Sequence, residues 1–308
     1  SVMYAGAAFV PPPPYVWQRE RFWFGENRDN MAWLLGNSSA HSHSVKQPML
    51  GLHWEPADNP GTHCFETELD LKLMPALSDH RVEGMPLLPA AAYVEMALEA
   101  SIELHGPGPR ILRDIQLNKA AFLSADTPTR IQLVMRPGSD RGRSMVSSLN
   151  SAQPASASFH FYSRSSDADD GQHDSTRWVP LASGHIEVVS DADQALAELE
   201  PLFSPENLDQ QYEDQRTGDE FYASVVSGMN FGPGFRSVLH TWERKKGAVT
   251  LVQLPSSTIA EARSYSFHPA LLDACFHSSN ASRGQKERLS LPFAIESLEI
   301  RALPDHSE

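Results

Sequence analysis

The chain has 308 residues, 41% of them hydrophobic, and a formal net charge of −14. This length suits one large domain or two of about 100–150 residues each, and the apolar content excludes a disordered chain. The negative charge argues against a nucleic-acid partner, and no apolar run approaches the ~20 residues of a membrane span.

The N-terminus and the cysteines bear on the cellular compartment. The residues before the first proline run carry no basic segment, so we expect no signal peptide. Cys64 and Cys275 offer neither a disulfide framework nor a CxxC metal spacing. A cytoplasmic chain without a bound metal or cofactor is the simplest expectation.

Residues 1–46 do not have the pattern of a compact fold. They contain PPPPYVWQRERFWF, in which a polyproline run precedes aromatic and basic residues. Polyproline is extended and stiff, whereas the aromatic side chains need a surface to lie on. We therefore predict a linker or leader segment here.

Strand patterns follow from residue 47 and continue to about residue 190. The first two stretches, GLHWEP and HCFETELDL, alternate apolar and polar residues on either side of a turn at Asn59–Gly61. Four more predicted strands come after a helix: RILRDIQLNKAAFL, TRIQLVMRP, ASFHFYSR and TRWVPLASGHIEVV. The first half therefore predicts an antiparallel sheet with one buried helix.

That helix is predicted to begin at Pro89, which suits a first helical position, and to stop before Gly106. Its residues are apolar on most faces, as expected of a buried helix. We expect His80 and Gly84 in the loop that leads into its N-terminus. Free N–H groups at such an end would stabilise a carbonyl that becomes an oxyanion.

The rest of the chain repeats this architecture. An acidic stretch, residues 191–219, is predicted to connect to a second unit over residues 220–308. This unit contains a short helix, the segment NFGPGF, two strands, a helix entered at Pro269 and a last strand. If it matches the first unit fully, one or more final strands are missing.

The second predicted helix carries a possible acid. Asp273 and His277 are spaced i,i+4 and therefore share one face. The apolar neighbours of Asp273 should raise its pKa by desolvation, and His277 should orient it. A plain i,i+4 ion pair at a helix start is the alternative. Cys275 points about 200° away around the helix from Asp273, so we expect no thiolate chemistry.

Three motifs in this order resemble those of polyketide synthase dehydratase domains. His80-x3-Gly84-x4-Pro89 resembles the HxxxGxxxxP motif, and HPALLDACFH resembles the motif in which Gln or His follows an aspartate by four residues. FGPGF resembles the YGPxF motif, with Phe231 in place of its tyrosine. The proline-rich segment also resembles the linker after an acyltransferase domain.

The resemblance implies an α+β double hot-dog fold, in which each of two units wraps a curved antiparallel sheet around a helix. It also implies dehydration of a 3-hydroxyacyl thioester during polyketide synthesis. The thioester would be carried on the phosphopantetheine of an acyl carrier protein. His80 would be the general base, Asp273 the general acid and His277 its orienter, and the Gly84 N–H would bind the thioester carbonyl. The remaining expected substrate-binding residues are Pro89, Phe231, Gly232 and Pro233.

Partners expected from the resemblance are the carrier protein, neighbouring acyltransferase and ketoreductase domains, and a second copy of the chain in a homodimer. A double-bond-shifting isomerase or a product-template domain could reuse the same His/Asp pair. A non-catalytic acyl-binding unit would lack His80 or Asp273, and neither is missing. A hot-dog thioesterase could use Asp79 or Glu83 as its base, but this would leave the Asp273 motif without a role.

Overall fold

The computed structural model describes residues 47–138, 155–164, 177–189, 208, 212, 214–225, 228–244, 247–281 and 291–304. The predicted linker over 1–46 and most of the predicted connection therefore lie outside the described residues. Within these ranges, no helix has both the length and the apolar character that crossing a membrane requires.

The strands in chain order are β1 (Leu52–Trp54), β2 (His63–Leu69), β3 (His80–Val82), β4 (Met85–Pro86), β5 (Arg110–Leu117), β6 (Thr129–Pro137), β7 (Ser156–Arg164), β8 (Val179–Val188), β9 (Asp214–Thr217), β10 (Met229–Phe231), β11 (Val238–Arg244), β12 (Gly247–Val252) and β13 (Ala294–Ile300). The α-helices are α1 (Ala90–His105), α2 (Gly218–Ala223), α3 (Ile259–Ala262) and α4 (Pro269–Ala281). Short 3-10 helices span Pro75–Asp79 and Pro233–Phe235.

Seven strands form one antiparallel sheet in the order β1-β2-β6-β7-β8-β5-β13 within the described ranges. The sheet packs on α1, whose residues from Ala91 to Ser101 are all buried. Side chains of the sheet such as Phe65, Phe159 and Phe161 join those of α1 in one hydrophobic core. The predicted buried helix and its surrounding strands are confirmed.

The start of α1 differs from the prediction by one residue. Pro89 caps the helix with an extended ψ of 155°, and the first helical residue is Ala90. The Pro89 carbonyl accepts a hydrogen bond from the Ala92 N–H at 3.0 Å. At the other end Gly106 has a φ of +79°, a conformation that favours glycine and ends the helix.

The second half contributes two small sheets and α4. Sheet β10-β3-β4 joins strands from both halves of the chain, and sheet β12-β11-β9 lies in the second half. Helix α4 contacts β11, β12 and α1. It begins at Pro269, as predicted.

Two predictions about the second half need correction. Residues 214–217, predicted as part of the connection, form β9 and pair with β11, because that strand exposes a free edge to them. The last strand, β13, does not complete a sheet in the second unit and instead pairs with β5 of the first. The predicted domain boundaries therefore remain a prediction, and one strand crosses them.

Candidate active site

His80 is held by its own segment. The sequence predicted a loop position outside the core, but His80 begins β3 and is buried. Its Nδ1 donates a hydrogen bond to the Leu87 carbonyl at 2.7 Å, and its own carbonyl accepts from the Leu87 N–H at 2.9 Å. Because Nδ1 carries the donated proton, Nε2 holds the free lone pair. Burial follows from Phe231 and Phe235, whose rings lie 5.7 and 5.5 Å from the imidazole.

The free nitrogen of His80 faces the predicted acid. Its Nε2 lies 3.9 Å from Oδ2 of Asp273, and both side chains are more than nine-tenths buried. Asp273 comes from α4 and His80 from β3, so the two halves of the chain meet at this point. The structure thus brings together the two residues that the sequence assigned to acid–base chemistry.

His277 lies one turn after Asp273 and orients it. Its Nε2 donates to the same Oδ2 at 2.8 Å. No described residue binds its Nδ1, so nothing competes for the tautomer that donates to Asp273. Phe231 packs on the His277 ring at 4.4 Å and thereby touches both histidines.

The protonation expected for Asp273 needs correction. Burial disfavours its charged form, but the attraction of His277, the hydrogen bond from His277 and the attraction of His80 together outweigh it. The pKa of Asp273 therefore lies below its ordinary value, where the apolar neighbours in the sequence had suggested a raised one. Asp273 and His277 are best treated as a coupled pair that holds one proton between them.

The FGPGF segment is attached directly to the histidine motif. Phe231 pairs with His80 between β10 and β3. The Gly232 N–H binds the Asp79 carbonyl and the Gly234 N–H binds Asp79 Oδ2, both at 2.7 Å. A Cβ on Gly232 would lie 2.2 Å from Asp79 Oδ1, so this close approach requires glycine. Asp79 is therefore occupied by these contacts, which weakens its alternative role as a thioesterase base.

The other predicted binding residues lie around this centre. Gly84 forms the exposed turn between β3 and β4 with a φ of +80°, and no atom lies within 4 Å of a Cβ built there. Pro89 caps α1, and Pro233 begins the second 3-10 helix. Substrate contacts at Gly84, Pro89, Phe231, Gly232 and Pro233 remain predictions.

Sequence reasoning missed an aromatic wall and a neighbouring cavity. Tyr222 of α2 lies 5.7 Å from the Phe231 ring and 6.2 Å from the His277 ring, between ring centroids. A cavity of about 270 Å³ adjoins this wall, and its lining residues are Tyr222, Val225, Gly228, Met229, Asn230, Phe231 and Arg236. The aromatic residues in EFYASVV indicated that this short helix packs on another surface. No spacing in the sequence indicated that Tyr222 would lie beside α4. No group of three or more His, Cys, Asp or Glu residues in the described ranges is arranged to hold a metal ion.

Comparison with known families identifies the class. Residues 47–149 match the family described as the polyketide synthase dehydratase domain. Residues 200–308 match the one described as the polyketide synthase dehydratase N-terminal domain. Together these matches include His80, Asp273 and the FGPGF segment. The chain belongs to the polyketide synthase dehydratase domains.

A curated relative and two solved structures extend the comparison. Polyketide synthase GfsE of Streptomyces halstedii is 30% identical over 307 residues, which cover 96% of this chain and 7% of that protein. The dehydratase domain from the CurF module of curacin polyketide synthase matches with a TM-score of 0.66 and 20% identity, over 82% of this chain and 83% of that one. The dehydratase domain of a mycocerosic acid synthase-like polyketide synthase matches with a TM-score of 0.62 and 25% identity, over 82% and 80%. These structures confirm the double hot-dog fold. The chain spans less than a tenth of the length of its curated relative.

Proposed function

We propose that this domain removes water from a 3-hydroxyacyl thioester carried on the phosphopantetheine of an acyl carrier protein. The product is the α,β-unsaturated acyl thioester. The observation that supports this most strongly is the 3.9 Å approach of His80 Nε2 to Asp273 Oδ2 inside a buried, mostly aromatic site. At this separation a base at His80 and an acid at Asp273 could act on adjacent carbons of one substrate.

His80 is the proposed base. Its Nε2 lone pair takes the α-proton, and the Leu87 carbonyl stabilises the imidazolium through the Nδ1–H. Negative charge then develops on the thioester oxygen. The Gly84 N–H and the free N–H groups at the start of α1 are the proposed donors to it. The open space at Gly84 leaves room for that oxygen to approach.

The Asp273–His277 pair is the proposed acid. Hydroxide is a poor leaving group, so the β-hydroxyl must receive a proton as its C–O bond breaks. With the pKa of Asp273 lowered, the pair enters the cycle with one transferable proton, Asp273 as carboxylate and His277 as imidazolium. His277 Nε2 gives this proton through Asp273 Oδ2 to the departing oxygen, so water leaves and His277 is left neutral. The α-proton on His80 then returns across the 3.9 Å gap to Asp273 Oδ2 and from there to His277, which restores both starting states.

The test is turnover of a 3-hydroxyacyl pantetheine thioester, followed by mass spectrometry as the loss of one water. We expect turnover by the unaltered chain, and a ~10²–10⁴-fold lower rate for His80→Ala and Asp273→Asn. His185→Ala is the matched control, because His185 is exposed on β8. Thermal unfolding of each variant separates chemistry from folding, which matters because His80 is buried. More than roughly a tenth of the rate retained in His80→Ala would contradict the base assignment.

A further inference from the structure

Two of the three glutamates of helix α1 are buried among its apolar residues. Glu95 is fully buried and Glu99 is 6% exposed, and their i,i+4 spacing puts them on one face. Carboxyl groups are rarely buried without dedicated partners, because desolvation penalises the charge heavily. The proposed mechanism uses neither residue.

The partners of both carboxyl groups are in the segment that leads into α4. Glu95 accepts hydrogen bonds from the backbone N–H of Ser266 at 2.8 Å and of Phe267 at 2.9 Å, one on each oxygen. Glu99 accepts from the Ser266 N–H at 2.7 Å, and its other oxygen accepts from the Gln47 amide at 2.7 Å. Residues 266–267 lie directly before His268 and Pro269, where α4 begins.

The two carboxyl groups also bind each other, and together they can hold one proton. Burial raises the pKa of both, and the nearby Glu99 charge raises that of Glu95 further, well above its ordinary value. Like charges this close do not both ionise. Glu95 therefore carries the proton and donates it to the Glu99 carboxylate, while its oxygens still face Ser266 and Phe267.

Helix α1 and the residues just before it are thus bonded to His80 and to the segment that leads to Asp273. Just before the helix, the Leu87 carbonyl fixes the His80 ring. In its middle, Glu95 and Glu99 fix the entry of α4, which carries Asp273 one turn later. We propose that Glu95 and Glu99 are positioning residues that set the separation of Asp273 from His80 by clamping the backbone of Ser266 and Phe267 to α1. This rests on the proposed acid–base roles of His80 and Asp273.

The variants that test this are Glu95→Met, Glu95→Gln and Leu98→Ala. Methionine keeps the volume and helix propensity of the side chain but accepts no hydrogen bond from the Ser266 and Phe267 N–H groups. Glutamine imitates the neutral acid, since its oxygen can accept from Phe267 and its NH₂ can donate to Glu99. Leu98 is fully buried on the same helix and is not part of the clamp, so Leu98→Ala reports the effect of lost packing alone.

We expect Glu95→Met to lower kcat by ~10²-fold with little change in KM, because a misplacement of about 1 Å in the catalytic groups costs that much. Glu95→Gln should stay within about tenfold of the unaltered rate. Leu98→Ala should lower the unfolding temperature and keep kcat. Amide hydrogen exchange at Ser266 and Phe267 should be slow in the unaltered chain and in Glu95→Gln. In Glu95→Met it should become fast at Phe267, which loses its acceptor, and should change less at Ser266, which Glu99 still accepts.

The exchange measurement needs no activity, so it separates this proposal from the function on which it rests. If the unaltered chain does not dehydrate any thioester, the proposed function fails whatever the exchange data show. The positioning role is overturned by fast exchange of both amides in the unaltered chain, by full kcat in a folded Glu95→Met, or by an equal loss of kcat in Leu98→Ala. Should Glu95→Met not fold, two measurements decide the question. Fast exchange of both amides in the unaltered chain overturns the positioning role, and so does a loss of kcat of much more than tenfold in a Glu95→Gln whose two amides still exchange slowly.

Discussion

At the scale of single residues, the chemistry of the site depends on the second hydrogen-bond partner of each catalytic group. The Leu87 carbonyl decides which His80 nitrogen is free, and His277 decides how the Asp273 carboxyl is oriented. Phe231 contributes only an apolar face to both histidines, because it lacks the hydroxyl that the family motif carries there. The hydrogen bonds that orient His80 and Asp273 therefore involve no hydroxyl at position 231.

Cys275 gives a residue-scale prediction. Although it lies two residues from Asp273, burial and the nearby Asp273 charge raise the pKa of its thiol to about 11. Its Sγ binds the Leu271 carbonyl at 3.4 Å. At pH 7 only about one thiol in ten thousand would be ionised, and the thiolate is the reactive form.

We therefore expect iodoacetamide to leave Cys275 unmodified at pH 7 and to label it faster as the pH rises toward 11. Peptide mass spectrometry reads the labelling, and the unfolded chain, in which both cysteines react, is the control. Cys275→Ser should dehydrate substrate at close to the unaltered rate. Rapid labelling of folded protein at neutral pH would show that the thiol is activated, contrary to its environment.

The sequence predicted which side chains would lie together better than it predicted their burial and protonation. Motif spacing singled out His80, Asp273 and His277 because each sits at a fixed offset within one short segment, and these three side chains do lie together, while their catalytic roles stay a prediction. The direction of the Asp273 pKa shift was missed because the sequence argument weighed desolvation alone, whereas the attraction and the hydrogen bond of His277, with a smaller contribution from His80, outweigh it. The burial of His80 was missed because Phe231 and Phe235, which supply it, lie about 150 positions away in the chain.

At the scale of elements, the C-terminal end of α1 is closed by a buried arginine. Arg110 is fully buried, yet among the described residues it donates to neutral oxygens alone. Its acceptors are Ser101 Oγ and the carbonyls of Ser101, Gly106, Gly108 and Pro109. A cation here satisfies carbonyls that the helix end leaves free and complements the negative end of the helix dipole.

Arg110→Lys should destabilise the domain, because a lysine amine has three donors on one atom and cannot reach these separate acceptors. We expect a loss of about 2–3 kcal/mol in the free energy of unfolding, measured in urea. Arg113→Lys on the same strand is the control, since Arg113 is half-exposed beside Glu187 and should change the stability by less than about 0.5 kcal/mol. Equal losses in the free energy of unfolding for the two substitutions would show that the hydrogen bonds of the buried Arg110 contribute no more to stability than the half-exposed Arg113 does.

Element types were predictable from periodicity and turn residues, whereas the partners of the strands were not. The stretches ASFHFYSR and TRWVPLASGHIEVV, predicted as strands, correspond to β7 and β8, which pair with each other. Strand β13 pairs with β5 across nearly two hundred residues, and no local pattern encodes that choice. The same holds for β10 and β3, whose pairing brings Phe231 to His80.

At the scale of the whole molecule, the net charge of −14 restricts how the domain could meet an acidic carrier protein. Any electrostatic attraction between the domain and the carrier would have to come from a local group of basic residues. Two of the arginines nearest the motifs flank the β3–β10 pair: Arg81 pairs with Asn230, and Arg236 donates to the Phe231 carbonyl at 3.0 Å. Both are exposed, and Arg236 also lines the cavity beside Phe231. Arg283, which follows the Asp273 motif in the sequence, lies outside the described residues.

We expect Arg81 and Arg236 to affect KM only when the acyl group is carried on a carrier protein. A carrier tethered in the same polypeptide is present at an effective concentration of about the mM range, so its intrinsic affinity for the domain can be weak and mainly electrostatic. Arg81→Glu combined with Arg236→Glu should raise KM severalfold for an acyl group on a separate carrier protein. It should leave KM for the same acyl group on a short pantetheine mimic unchanged.

Arg301→Glu, at an exposed pair with Glu299 on β13, is the control for charge reversal elsewhere. Steady-state kinetics at two salt concentrations provides the measurement, since the difference between substrates should shrink as salt screens it. Equal specificity constants for the carrier-bound and mimic substrates in the unaltered domain would show that the protein part of the carrier is not recognised at all.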